Sequence, residues 1–183
     1  MTEPKTPFIR VGDFFFKYRN LLFPVAIGAL FLAFPPARYY GSETVEGLKD
    51  SLAIGTVVLG LAVRGAVIGY AYIKRGGLNK KVYAESLVTE GFFAISRNPL
   101  YVGNMLIYVG VFLMHGNPLV MALGVGLFAF IYQCIIYAEE AFLANKFGAE
   151  YDAYCADVPR WGVKISRFRS ATEGMKFDFK KVI

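Results

Sequence analysis

A chain of 183 residues that is 56% hydrophobic and only 19% charged, with a mean hydropathy of +0.44, lacks the surface of a water-soluble domain, which carries about 25% charged residues. Its apolar residues come in runs, as a bilayer demands, rather than at amphipathic spacing. The formal charge of +6 lies mostly in the connections and the tail, so it reads as membrane topology and no nucleic-acid partner is expected.

Residues 1–20 read as a polar and then interfacial segment. Asp13-Phe14-Phe15-Phe16-Lys17-Tyr18-Arg19 is aromatic on one side and cationic on the other. The first apolar run, Leu21 to Phe34, ends at Pro35-Pro36 and is short for a span of about 20 residues. It crosses only with its aromatic approach, which puts Pro24 in the first turn, where a missing amide costs least. Residues 35–50 form a polar connection with Glu43, Glu46 and Asp50. The second run, Ser51 to Ile73, is long enough to cross and is interrupted by Arg64. A basic loop follows at 74–98, with Lys74, Arg75, Lys80, Lys81 and Arg97. The third run is Leu100 to Met114, and His115-Gly116-Asn117-Pro118 makes a tight turn. The fourth run, Leu119 to Tyr137, continues as a polar helix through Glu139-Glu140 to about Phe147, with Gly148 as its stop.

Lys and Arg set the orientation. Residues 1–20 hold four, the 74–98 loop five and the segment after Tyr137 eight, against two in 35–50 and none in 115–118. With four spans the three rich segments share one side, and the positive-inside rule makes that side the cytoplasm. The predicted architecture is one all-α integral membrane domain over 1–183 with about four transmembrane helices. Both termini are cytoplasmic, in the inner (plasma) membrane if the chain is bacterial. The third and fourth helices form a hairpin whose cytoplasmic end, with the 139–183 tail, shapes a pocket. Oligomeric state is not legible.

Three polar features mark that pocket. Asn98-Pro99 is a doubled helix start, an N-cap residue followed by the residue best suited to the first helical position. Arg97 beside it adds a cation to the partial positive charge of a helix N-terminus, which suits a carboxylate or phosphate. An ordinary cytoplasmic helix entry with a topology-setting Arg fits the same residues. Glu139-Glu140 returns to this level at the end of the antiparallel fourth helix. Adjacent carboxylates at a membrane boundary are costly unless paired or hydrated, so they either hold a ligand or are simply solvated. Arg64 either faces the bundle interior, where an intramembrane charge is functional by default, or snorkels to the surface. Cys134 and Cys155 make neither a disulfide framework nor a zinc spacing and read as free thiols without a role. No metal site, phosphate loop or dinucleotide fingerprint is expected.

Leu87-Val88-Thr89-Glu90-Gly91-Phe92-Phe93 followed by Arg97-Asn98-Pro99-Leu100-Tyr101-Val102-Gly103 resembles the core motif of the membrane methyltransferases, a superfamily that includes isoprenylcysteine carboxyl methyltransferases and phospholipid methyltransferases. Glu139-Glu140, Leu143, Phe147-Gly148, Tyr151, Tyr154 and Val158-Pro159-Arg160 resemble its second motif, and Val63-Arg64 an Arg that precedes the core motif in bacterial members. The resemblance covers roughly residues 55–161. It implies S-adenosyl-L-methionine as cofactor, held by Arg97, Asn98, Pro99, Tyr101, Glu139 and Glu140, with Glu140 and Arg64 as candidate catalytic residues and membrane lipids around a lipophilic acceptor. Asn98 stands where the motif usually has His. The acceptor, and whether oxygen, nitrogen or sulfur is methylated, stays open. Alternatives are a membrane reductase related to sterol reductases using NADPH, and a non-catalytic four-helix membrane protein.

Overall fold

The computed structural model describes residues 6–38, 42–70, 82, 84–173 and 177–178. Within them the chain is helical: α1 (Pro7–Ala33), α2 (Glu43–Tyr70), a 3₁₀ turn at Gly91–Ala94, α3 (Pro99–His115), α4 (Pro118–Phe147), α5 (Ala149–Asp157), a 3₁₀ turn at Ile165–Arg167 and α6 (Phe168–Thr172). No strand forms among the described residues. Helices α1, α2 and α4 are long and apolar enough to cross a membrane, and α3 is a shorter apolar helix of 17 residues. At 1.5 Å per residue α3 spans about 25 Å, close to the thickness of a hydrocarbon core. The protein is an all-α integral membrane protein.

Two starts differ from expectation. Helix α1 begins at Pro7, so the aromatic and cationic stretch 13–19 is its first half and Pro24 lies inside the helix. Pro7 fits the first turn because its missing amide has no partner there in any helix. The missing amide of Pro24 is the tolerated cost of a proline within a membrane helix. Helix α2 begins at Glu43 rather than Ser51, because Glu43 and Glu46 complement the positive helix N-terminus and Glu46 pairs with Lys49 one turn on. The boundaries of α3 and α4 fall close to where they were expected, and the expected end of the second run at Ile73 lies outside the described residues. Gly116 closes α3, Asn117 caps α4 by accepting from the Leu119 amide, and Gly148 ends α4 with φ of 52°, a left-handed region that suits glycine. The basic residues expected at 74–81 lie outside the described residues.

The helices run up and down. At one end the turn after α3 meets the start of α2: the Ala37 amide donates to the His115 carbonyl, Asn117 Nδ2 donates to the Pro35 carbonyl, and Lys49 sits near Gly116. The opposite end gathers the start of α1, the start of α3, the end of α4 and the segment 149–172 after it. Helix α2 packs along α3 and α1 along α4. The α2–α3 contact is a backbone-to-backbone approach, since a Cβ on Gly60 would stand 2.7 Å from the Gly103 carbonyl oxygen and one on Gly110 2.7 Å from that of Ala53. Lipid gives helices no hydrophobic reason to associate, so this close packing by small residues holds them. Between α1, α3 and α4 the core is aromatic. The Phe23 ring lies 5.2 Å from Tyr108, 4.7 Å from Phe128 and 5.0 Å from Tyr132. Leu21, Val25, Leu32, Leu52, Leu61, Leu123 and Phe130 face outward, exposed, as a lipid-facing surface requires.

Candidate functional site

The stretch between the 3₁₀ turn and α3 is built as a receiving edge. Gly91 opens it with φ of 61°, and the chain after α5 folds back along it. The Arg97 amide donates to the Pro159 carbonyl at 2.9 Å, and the Lys164 amide donates to the Ile95 carbonyl at 2.8 Å. Asn98 Nδ2 donates to the Arg160 carbonyl at 3.0 Å, and the Tyr154 hydroxyl to the Phe93 carbonyl at 2.8 Å. Burial pushes the Tyr154 phenol up from its ordinary value, so it remains a donor. Further along, Trp161 Nε1 donates to Gln133 Oε1 of α4 at 2.9 Å. The tail turn is held by Asp157, whose carboxyl accepts from Lys164 and Arg167 and is held below the usual carboxylate range, chiefly by Lys164.

Asn98 occupies the N-cap position of α3 but makes no side-chain cap. Its carboxamide is spent on the tail, and the Tyr101 and Val102 amides turn onto the Asn98 carbonyl. The donor available to an anion is therefore the Arg97 guanidinium rather than the helix end. Pro99 is buried in the first helical turn.

Arg97 and Glu140 meet as expected from sequence, and a third residue joins them. Arg97 Nη1 lies 3.3 Å from Glu140 Oε1. Arg160 grips the same carboxylate with both arms, Nε to Oε1 at 2.9 Å and Nη2 to Oε2 at 2.7 Å, the planar geometry that makes such pairs strong. Glu140 in turn pushes the Arg160 guanidinium above its ordinary value. The Arg160 guanidinium also stands 5.1 Å from the Tyr137 ring. Arg97 Nη1 donates to Cys155 Sγ at 2.7 Å, giving that thiol a place in the site. Arg97 and Glu140 are 14% and 16% exposed, and the buried Arg97 Nε has no partner among the described residues.

Glu139 faces a different wall. One residue advances a helix by about 100°, which turns its carboxylate toward α3 and α1. There the Tyr101 hydroxyl donates to Glu139 Oε1 at 2.8 Å, and Arg19 Nη1 lies 3.4 Å from the Tyr101 oxygen. The Tyr101 ring rests on Tyr132 at 4.8 Å. Arg64 lies deeper: its Nη1 donates to Asn104 Oδ1 of α3, and the Tyr108 and Tyr132 side chains stand beside this pair. Arg64 is thus turned into the bundle and does not snorkel. Nothing in local spacing marks Arg19, Arg160 or Cys155 as members of the site. Asn104 carried one signal, a carboxamide inside an otherwise apolar run.

An open cleft of about 560 Å³ adjoins the receiving edge, lined by Thr89, Gly91 and Ala94 on one side and Arg167, Ser170 and Glu173 on the other. It is open to the surface, and Arg97, Glu139, Glu140 and Arg160 are not among its lining residues.

A family described as phospholipid methyltransferase matches residues 51–150, which takes in α2 from Ser51 on and all of α3 and α4 with both glutamates. Among curated proteins the chain is similar to a cobalt-zinc-cadmium resistance protein of Cupriavidus metallidurans, 32% identical over 64% of this chain and 51% of that protein. It is also similar to a probable protein-S-isoprenylcysteine O-methyltransferase of Oryza sativa, 33% identical over 69% of this chain and 64% of that one. A protein-S-isoprenylcysteine O-methyltransferase A of Arabidopsis thaliana is 34% identical over 61% of this chain and 60% of its own length. The chain thus spans between half and two thirds of these relatives. No solved structure matches it.

Proposed function

This chain belongs to the phospholipid methyltransferase family, and from that premise we propose that it methylates a lipophilic acceptor with S-adenosyl-L-methionine at the cytoplasmic face of a membrane. The observation that carries the reading is the meeting of Arg97, Glu140 and Arg160 under the returned tail, with a buried Arg97 Nε that has no partner among the described residues.

The residues present fit that cofactor. It carries a carboxylate, an amine, ribose hydroxyls and a sulfonium. Arg97 offers a donor for the carboxylate, worth about 1.5–3 kcal/mol as a charge-assisted bond. Glu139 and Glu140 offer acceptors for the amine and hydroxyls, and Asn98, Pro99 and Tyr101 fix the wall between them. The rings of Phe92, Phe93, Tyr101 and Tyr137 are the aromatic faces a cation prefers. When bound, the cofactor supplies an electrophilic methyl on sulfur.

The protein's part is then alignment and exclusion of water. Each Glu140 oxygen accepts one bond from Arg160, which fixes the carboxylate and leaves each oxygen a second lone pair to turn toward a ligand. The strap from Tyr154 to Lys164 covers the site and supplies Arg160 to it. A lipid acceptor enters between helices from the side, while the cofactor enters from water. The basic residues of the 1–20, 74–98 and tail segments put this end in the cytoplasm, at the inner membrane if the chain is bacterial.

Isothermal titration of the purified protein with S-adenosylhomocysteine tests the reading. Micromolar binding that falls at least tenfold in Arg97→Ala and in Glu140→Ala is expected. Binding of NADPH alone would replace this reading with a reductase, and binding of neither would leave a non-catalytic bundle.

A further inference from the structure

Arg64 is a charge that the described bundle does not balance. It lies on α2 six residues before Tyr70, about 9 Å along the helix, and its guanidinium points across to α3. There it meets a neutral carboxamide, that of Asn104. No ion pair to Arg64 forms among the described residues, and the other polar groups around it are the phenols of Tyr108 and Tyr132. A guanidinium carries five N–H donors, and a cation held inside a membrane bundle is costly without an anion.

The backbone is shaped to keep it there. A Cβ on Gly103 would stand 2.8 Å from Arg64 Cγ, so glycine at 103 makes room for the stem of the arginine. Asn104 lies six residues beyond Asn98, about 9 Å deeper along α3. The Tyr101 ring, which belongs to the cofactor wall, rests on Tyr132 beside this cluster. A polar seat therefore lies beneath the candidate cofactor site, about two helical turns further along α3. Arg64 is half-buried, which leaves the seat reachable.

We propose that Arg64, with Asn104, Tyr108 and Tyr132, binds an anionic oxyacid group of the acceptor lipid, a carboxylate or a phosphate, and so selects acidic-headed acceptors over neutral or purely cationic ones. The inference rests on the methyltransferase reading for the word acceptor, but the seat itself is testable alone.

Binding of palmitate, lysophosphatidic acid, palmitylamine and monopalmitin to the full chain in a nonionic detergent is measured for wild type, Arg64→Gln and Arg64→Lys. Titration with S-adenosylhomocysteine on the same samples reports that each variant is folded. Wild type is expected to bind palmitate or lysophosphatidic acid at least tenfold tighter than the amine and the monoglyceride. Arg64→Gln loses that preference and Arg64→Lys keeps most of it, with S-adenosylhomocysteine affinity within about twofold throughout. Which of the two anions binds tighter separates carboxylate from phosphate. Equal binding of all four lipids, or palmitate and lysophosphatidic acid binding unchanged in Arg64→Gln, overturns the proposal. Absence of S-adenosylhomocysteine binding in wild type would instead count against the methyltransferase reading, and circular dichroism would then report folding while the lipid titrations still decide the role of Arg64.

Discussion

Glu139 and Glu140 are adjacent in sequence and read there as a pair, yet their carboxylates belong to different networks. Glu140 is held by two cations and Glu139 by a phenol. Removing the charge has unequal consequences. Glu140→Gln leaves Arg97 and Arg160 facing a neutral amide. The cost stays below the about 3–5 kcal/mol of a broken buried pair, because Arg160 is 33% exposed. Glu139→Gln keeps an oxygen for the Tyr101 hydroxyl and gives up about 1 kcal/mol. Thermal unfolding in detergent should therefore show a clear drop for Glu140→Gln and a small one for Glu139→Gln. Equal drops would mean that the two carboxylates share one environment after all.

At the scale of helices, the contacts that matter are made by residues with no side chain. Gly60, Gly103 and Gly110 let α2 and α3 approach backbone to backbone, whereas a Cβ on Gly28 of α1 or Gly55 of α2 would meet nothing within 4 Å. Gly60→Leu should separate α2 from α3 and lower the unfolding temperature by many degrees. Gly28→Ala should leave it unchanged or raise it slightly, by the about 0.5–1 kcal/mol that alanine gains over glycine in a helix. A Gly60→Leu protein as stable as wild type would show that the α2–α3 contact does not hold the bundle. Helix ends marked by glycine, proline and asparagine were legible in sequence because the signal is local: Gly116, Pro118 and Gly148 act through their own backbone and Asn117 through a side chain two residues from its partner. The starts of α1 and α2 were not. Apolar runs report where lipid is, and both helices continue into polar residues beyond it, to Pro7 and Glu43. Asn98 shows the same limit, since its cap role was a local inference and its actual partner, Arg160, lies 62 residues away.

The whole molecule is an up-and-down bundle with the candidate site at one end, the end that charge placement and the two motifs single out in the sequence. Sequence assigned the 139–183 tail to the pocket; what it did not reveal is which residues of the tail pair with which residues of the bundle. Arg160 reaches Glu140 across 20 residues, Trp161 reaches Gln133 across 28, and the Arg97 amide reaches the Pro159 carbonyl; no local pattern encodes such pairs. Truncation separates a structural bundle from a site that needs its strap. Ending the chain after Asp157 removes Pro159, Arg160, Trp161 and Lys164 while leaving α1 to α5 intact, whereas ending it after Thr172 keeps every one of those contacts. Circular dichroism should show near-native helicity for both, since the helices that form the bundle precede the cut. S-adenosylhomocysteine affinity should fall more than tenfold in the shorter chain, because Arg97 loses the carbonyl that fixes its backbone and Glu140 loses the guanidinium that fixes its carboxylate. The longer chain should lose far less. Equal affinity of both truncations would place the cofactor wholly within the four-helix bundle and leave the strap as a cover without a binding role.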